Sequence, residues 1–272
     1  MLGRALALIG VLAIGAVIAA SFELGHIVTV VTCSSCSLST TTKLAVEPIP
    51  IAGFGVLGDS NSDEYCGTDH RGGSFAGHTL GWVEQFAWRR GLNFGRWGEW
   101  GEPRREGFEY NWARSGATAE SLLSEGQHTG LAEQVAAGNV SHVLYWVGTN
   151  DFSTHSGQYG EIYSGRLAGD ALQSKIDGVV AEVETAIRTV TAAGPVRMVI
   201  VTMPDEGAVP VTLSAYPNPI GRQRVTDAID AVNEGVLRVA AGHDVAVVDI
   251  NDVVRRLLTR MGLNGRLKVG DE

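Results

Sequence analysis

The amino-acid sequence predicts an α/β fold in which helices cover both faces of a parallel sheet. Four short apolar runs have the composition of strands that are buried on both faces. These runs are Gly53–Gly58, His142–Gly148, Val196–Thr202 and Asp244–Asp249. Helical segments lie between the later runs, and strand, helix and strand in that order, joined by right-handed crossovers, give an open parallel sheet.

The helices are predicted from apolar residues that recur every three or four positions. The clearest helical segment spans residues 170–193 and is stopped by Gly194 and Pro195. Two further segments, 225–237 and 253–261, repeat this spacing and flank the last predicted strand. A shorter run, Phe108–Trp112, is a candidate for an additional strand. The sequence shows no internal repeat and predicts no second domain.

Composition places the chain among ordinary globular proteins. Of its 272 residues, 44% are hydrophobic and 19% are charged, which excludes a collagen, a coiled coil and a polytopic membrane protein. The formal net charge is -9, and the basic stripe of a nucleic-acid-binding protein is missing from the sequence. We therefore do not expect nucleic acid as a partner.

Residues 1–24 have the pattern of a signal peptide or a membrane anchor. The stretch Ala5–Ala20 contains no polar side chain, which suits an export signal and is slightly short for the ~20 residues of a spanning helix. Small residues at positions 19–21 would allow cleavage, whereas the next apolar run, Ile27–Val31, favours an uncleaved anchor. Both alternatives predict a domain that is exported, either secreted or held at the cell envelope.

Residues 25–51 are predicted to be a linker, because they are rich in Ser and Thr and end near Pro48 and Pro50. The folded domain is then expected over residues 52–272.

The chain has three cysteines, and outside the cytoplasm they can form disulfides. Cys33 can pair with Cys36 and leave Cys66 as an odd thiol, or Cys66 can pair with one of the other two. Their spacing does not match a metal site.

Three polar segments follow predicted strands, at the sheet edge where α/β proteins bind ligands. The first strand ends in a Gly-Asp pair and presents the hydroxyl of Ser60. A serine becomes a nucleophile when a base takes its proton and donors stabilise the developing oxyanion. Asn150 follows a later strand and has a side-chain amide that can donate. Gly116 follows the short 108–112 run, and a glycine leaves its N–H accessible.

Together and in this order, these segments resemble the motif blocks of the GDSL or SGNH hydrolase family. Ser60 in Gly-Asp-Ser-Asn matches the nucleophile block, Gly116 in Asn-Trp-Ala-Arg-Ser-Gly-Ala-Thr the glycine block, and Asn150 in Gly-Thr-Asn-Asp the asparagine block. The resemblance runs from about residue 53 to the end of the chain. It implies a flavodoxin-like, three-layer α/β/α sandwich, the fold that the strand and helix order predicts independently.

For function, the resemblance implies that Ser60 attacks a carboxylic ester. The oxyanion hole would then consist of the backbone N–H groups of Ser60 and Gly116 and the side chain of Asn150. The substrate would be a small-molecule, lipid or carbohydrate ester, and neither a metal ion nor an organic cofactor is implied.

The sequence departs from the family at the fourth block, Asp-x-x-His, which supplies the catalytic base and its orienting carboxylate. No Asp is followed three residues later by His. His243 precedes the last strand and so belongs to the wrong end of the sheet, and His155, just after the asparagine block, is a remote alternative. We therefore expect this chain to stop short of its own base.

Two alternatives come from other functional classes. The missing histidine favours a non-catalytic binding module on the same scaffold. A nucleotide-binding domain of flavodoxin type has little support, because neither Gly-x-x-x-x-Gly-Lys-Ser/Thr nor Gly-x-Gly-x-x-Gly follows the first strand. Five of the six tryptophans lie between residues 82 and 112, where they can stack on a sugar or pack a long insertion against the sheet.

Overall fold

The computed structural model describes residues 50–65, 79–156, 158–205, 207 and 209–259. The signal or anchor segment, the three cysteines, His26, His70 and His78 lie outside these residues. Of the helices within them, none combines the length and the apolar composition that a crossing of the bilayer requires. The elements in chain order are β1 (Phe54–Gly58), α1 (Trp82–Arg90), β2 (Trp97–Glu99), β3 (Glu106–Phe108), α2 (Ala119–Ser124), α3 (Gln127–Ala136), β4 (His142–Trp146), α4 (Gln158–Ser164), α5 (Gly169–Ala192), β5 (Arg197–Val201), α6 (Pro210–Ala215), α7 (Pro219–Gly242), β6 (Ala246–Val248) and α8 (Ile250–Thr259).

The main sheet has four strands in the order β1-β4-β5-β6, and each neighbouring pair is parallel. These strands are formed by the four apolar runs of the sequence, so the predicted parallel sheet is confirmed. The two strands β1 and β4 are buried along their whole length. Continuous apolar runs are required there because both faces of a parallel sheet are covered.

Alternate residues of β4 enter two separate hydrophobic cores. Val143 and Tyr145 pack in a core that also contains side chains of α3, α5 and α7. Leu144 and Trp146 pack on the opposite face with side chains of α1, β3 and the start of α8. Because successive side chains of a strand point to opposite faces, a single strand serves both cores. The result is the expected three-layer α/β/α sandwich.

The run Phe108–Trp112 does not form a strand of the main sheet, contrary to the expectation. Only its first residue is in a strand, β3, which pairs antiparallel with β2 so that Phe108 faces Trp97. Asn111 makes one isolated parallel bridge to Val56. Residues 110–112 nevertheless lie beside β1, because the N–H of Val56 donates to the Tyr110 carbonyl at 3.0 Å and the N–H of Trp112 donates to the Val56 carbonyl at 2.9 Å. The Asn111 side chain accepts from the N–H of Ala113 and donates to the carbonyl of Ser62.

The tryptophans of the insertion are largely used for packing. Trp82 is buried in the core on the α1 face of the sheet. The Arg104 guanidinium lies between two indoles, 4.9 Å from the ring centroid of Trp100 and 4.1 Å from that of Trp112. Trp88 differs, because 55% of it is exposed. The interpretation as packing therefore holds for most of this aromatic region.

Glu64 joins the segment after β1 to the β2–β3 hairpin. Its side chain is buried and accepts a hydrogen bond from the N–H of Phe108, at 2.9 Å. Burial raises the pKa of this carboxyl from 4.5 to about 8, and the hydrogen bonds from Phe108 and Asn111 only partly oppose that effect. Glu64 is therefore protonated at neutral pH.

Helices α5 and α7 approach closely because α7 carries a glycine at the contact. A Cβ at Gly235 would overlap the Val180 side chain, whereas a Cβ at Gly178 of α5 would meet no atom within 4 Å. We expect Gly235→Ala to lower the free energy of unfolding by ~1–3 kcal/mol, since the stiff valine cannot move away easily. Gly178→Ala is the matched control and should raise that free energy by ~0.5–1 kcal/mol. Urea denaturation measures the free energy of unfolding of both variants. Equal effects of the two substitutions would contradict the close contact between Gly235 and Val180.

The stability of the protein should fall as the pH rises from about 4.5 to about 8, through the two pKa values of Glu64. Over that interval the unfolded chain releases the Glu64 proton while the folded chain keeps it, so each pH step favours unfolding. Glu64→Gln keeps an acceptor for the Phe108 N–H and removes the titration. The melting temperature of this variant should depend less on pH in that interval than the wild-type value, with the exposed Glu133→Gln as control. A pH dependence identical to wild type would show that Glu64 titrates normally.

Candidate active site

The parallel pairing of β1 with β4 places two of the predicted site segments side by side. Gly58, the last residue of β1, is in register with Trp146, the last residue of β4. Immediately beyond, the N–H of Asp59 donates to the carbonyl of Trp146, at 3.3 Å. Ser60 follows β1 and Asn150 follows β4, so both lie at the carboxyl edge of the sheet, and both are half-buried.

Ser60 lies in a tight turn that is organised by Asp59. The buried Asp59 carboxylate accepts from the backbone N–H and the side-chain amide of Asn61, at 2.8 and 2.9 Å. The backbone N–H groups of Ser62 and Asp63 both donate to the Asp59 carbonyl, at 3.0 Å. The turn also needs Gly58, because a Cβ there would lie 2.5 Å from the Cβ of Ser62.

The glycine segment lies directly against this turn. The N–H of Arg114 donates to the Gly58 carbonyl at 3.0 Å, and the N–H of Ser115 donates to Asp63 Oδ2 at 2.8 Å. Gly116 is exposed and has a φ of +89°, a conformation that favours glycine. The backbone at this position is therefore held next to the turn that carries Ser60.

The asparagine segment contacts the glycine segment from the other side. Asn150 Nδ2 donates to the Ala117 carbonyl at 2.9 Å, and Asp151 Oδ2 accepts from the N–H of Ala119 at 2.9 Å. Thr149–Asp151 form a single turn of 3₁₀ helix. The segments of Ser60, Gly116 and Asn150 are thus connected by hydrogen bonds at one edge of the sheet.

Asp151 is a buried carboxylate with a cationic partner on α5. Its Oδ1 lies 3.1 Å from Lys175 Nζ, and its side chain has no exposed area. Burial raises the pKa of Asp151, and the opposing effects come from the N–H of Ala119 and from the Lys175 ammonium. The ion pair therefore compensates part of the cost of a charge beneath the asparagine segment.

Sequence reasoning did not identify Asp63, Asp151 or Lys175 as parts of this arrangement. Lys175 lies within the amphipathic helix 169–192, and from the sequence a lysine in such a helix is expected to face solvent. Asp151 directly follows Asn150, but turn sequences commonly contain Asp, so its partner could not be deduced. Asp63 contacts a residue 52 positions away in the chain.

Two of the four histidines among the described residues lie at the amino end of the sheet, away from this edge. His142 begins β4 at the amino end of the sheet, and His243 follows α7 and lies 3.3 Å from Glu184. His128 belongs to α3, and burial lowers the pKa of its imidazole. His155 is exposed on the segment after Asn150, at the same edge as Ser60. Within the described residues, no group of three or more His, Cys, Asp or Glu is arranged to hold a metal ion.

Comparison with solved structures gives matches of low sequence identity. An extracellular lipase from Streptomyces rimosus is 18% identical, with 79% of this chain and 85% of that chain covered and a TM-score of 0.42. Phospholipase A1 from Streptomyces albidoflavus NA297 is 16% identical over 79% and 85% of the two chains, with a TM-score of 0.47. Axe2, an acetylxylan esterase from Geobacillus stearothermophilus, is 15% identical over 80% and 86%, with a TM-score of 0.39.

No curated protein matches the chain. A family model, by contrast, matches residues 56–261, which is most of the sequence and includes the segments of Ser60, Gly116 and Asn150. The matching model is that of the GDSL-like lipase/acylhydrolase family. The family agrees with the three motif blocks in the sequence and with the α/β/α fold. The chain therefore belongs to the GDSL-like lipase/acylhydrolase family.

Proposed function

We propose that the protein is a serine hydrolase of carboxylic esters, with Ser60 as the nucleophile. The observation that carries this proposal is the set of hydrogen bonds that joins the segments of Ser60, Gly116 and Asn150 at the carboxyl edge of the sheet. Membership of a lipase and acylhydrolase family supports the reaction class. The substrate is a small-molecule, lipid or carbohydrate ester.

The reaction begins when Ser60 Oγ attacks the carbonyl carbon of the ester and loses its proton to a base. The carbonyl oxygen becomes an oxyanion, which accepts hydrogen bonds from the N–H groups of Ser60 and Gly116 and from Asn150 Nδ2. The intermediate then releases the alcohol, which takes up the proton, and water hydrolyses the acyl-serine to the acid. The acid and the regenerated serine complete the cycle.

Asn150 suits the role of an oxyanion donor. Its Nδ2 has two hydrogens, and one of them donates to the Ala117 carbonyl. That bond fixes the orientation of the amide, so the second hydrogen keeps a constant direction for a substrate. Donors that are oriented before the reaction stabilise the transition state without reorganisation.

A non-catalytic binding module on the same scaffold is the second candidate. It is favoured by one observation, the lack of an Asp-x-x-His block in the 272 residues. The two candidates differ in the fate of an ester such as p-nitrophenyl acetate. An enzyme releases p-nitrophenol in a steady state, whereas a binding module leaves the ester intact.

Ser60→Ala should abolish both ester hydrolysis and covalent labelling by a fluorophosphonate probe, because both reactions need the serine oxygen. The full-length protein is assayed with p-nitrophenyl acetate, and the labelled residue is identified by mass spectrometry. Ser164→Ala, on an exposed position of α4, is the control and should retain both reactions. Labelling that persists in Ser60→Ala would remove Ser60 from the nucleophile role.

Asn150→Ala should lower kcat by ~10²-fold to 10³-fold, the usual effect of removing one oxyanion donor. The melting temperature of the Asn150→Ala variant should stay close to the wild-type value. Asn139→Ala, on an exposed position before β4 at the amino end of the sheet, serves as the control. An unchanged kcat in the Asn150 variant would exclude this side chain from the mechanism.

Export is proposed from the apolar segment Ala5–Ala20. A fusion of residues 1–24 to a reporter enzyme that is active only after export should be active in cells. A fusion in which two leucines of this segment are replaced by Arg should be inactive, because charge disrupts the apolar stretch. Retention of the unmodified fusion in the cytoplasm would contradict both the signal peptide and the anchor.

A further inference from the structure

We propose that Asp63 and Asp151 are positioning residues that hold the loop 115–119 from both ends and thereby orient the Gly116 N–H. The inference rests on the proposed function, since that N–H is a donor to the oxyanion. Neither aspartate belongs to the set Ser60, Gly116 and Asn150, and neither is assigned a contact with the substrate.

At the start of the loop, Asp63 acts on the peptide next to Gly116. Its Oδ2 accepts from the N–H of Ser115 at 2.8 Å, and the preceding N–H, of Arg114, donates to the Gly58 carbonyl at 3.0 Å. Both acceptors belong to the segment that carries Ser60. Two consecutive N–H groups are therefore fixed relative to the nucleophile, which restricts the orientation of the following Ser115–Gly116 peptide.

At the end of the loop, Asp151 holds the first residue of α2. Its Oδ2 accepts from the N–H of Ala119 at 2.9 Å, and its Oδ1 binds Lys175 Nζ at 3.1 Å. Asp151 is only 1% exposed, so its two hydrogen bonds form in an environment from which water is largely excluded. Hydrogen bonds to a charged acceptor are stronger than neutral ones, and the Lys175 ammonium favours the charged form of this acceptor.

Between these two points Gly116 has little packing of its own, although the next residue, Ala117, is buried. Gly116 is exposed, and a Cβ there would meet no atom within 4 Å. A glycine that lacks such contacts can rotate its N–H widely, which would make it a poor oxyanion donor. The hydrogen bonds from the flanks, together with those of Ala117, supply the constraint that packing does not. The two carboxylates thus preorganise a donor that they do not touch.

The test compares Asp63→Ala, Asp63→Asn and Asp151→Ala in the full-length protein with p-nitrophenyl acetate. Each alanine variant should lower kcat about tenfold or more and leave KM nearly unchanged, because an oxyanion donor acts mainly in the transition state. Asp63→Asn should restore most of kcat, because its Oδ1 can still accept from Ser115. Asp177→Ala, on an exposed position of α5, is the control and should behave as wild type.

Hydrogen exchange of the segment 114–119 provides a readout that does not need activity. The amides of Ser115 and Ala119 should exchange at least several-fold faster in the corresponding alanine variant, and the core strand β4 should stay protected in variants that fold. A normal kcat in folded Asp63→Ala, or a raised KM at unchanged kcat, would overturn the proposal.

The exchange measurement also separates this inference from the proposed function. If the wild-type protein hydrolyses no ester, the proposed function fails, and exchange alone then decides whether the aspartates hold the loop. Faster exchange at Ser115 and Ala119 supports the inference, and unchanged exchange overturns it. If the Asp151→Ala variant does not fold, the Asp63 variants decide the test.

Discussion

The arrangement of the candidate site depends on the parallel pairing of β1 with β4. This register sets Gly58 opposite Trp146, so the chain leaves both strands at the same height and at the same edge. Strands separated by more than eighty residues in the sequence thus deliver a serine and an asparagine to adjacent positions. A shift of one residue would move every side chain of one strand to the other face, which the two apolar cores prevent.

The carboxyl edge of the sheet carries many polar side chains, and several of them are buried. A buried carboxylate at this edge therefore needs hydrogen-bond or ionic partners. Asp59 satisfies the turn amides of Asn61, while Asp151 binds Lys175 and the N–H of Ala119. Buried carboxylates without such partners would destabilise the fold. Glu64 meets the same constraint differently, because burial raises its pKa and it remains protonated at neutral pH. The protonation of these carboxyl groups thus depends on both their burial and their hydrogen-bond partners.

Much of the fold could be predicted because its patterns are local. Apolar runs buried on both faces identify the four strands. The recurrence of apolar residues identifies α5 within one residue at each end, but only the middle of α7, which begins six residues earlier and ends five residues later than the predicted segment 225–237. The triplet Ser60, Gly116 and Asn150 could be selected for a similar reason, since each follows a predicted strand. The hairpin of β2 and β3 could not be predicted, because Phe108–Trp112 has strand composition as a whole, whereas β3 ends at Phe108 and the residues after it lie beside β1.

By itself, the sequence determined the parallel α/β architecture, the residue types at the carboxyl edge and the resemblance to a hydrolase family. The tertiary structure decided which side chains hold those residues in place. Asp63 reaches Ser115 across 52 residues, and Lys175 reaches Asp151 across 24. Periodicity and motifs report only on neighbours along the chain or along one face of an element. A hydrogen bond between distant segments depends on the folded geometry, and for that reason the supports of the site emerged only from the structure.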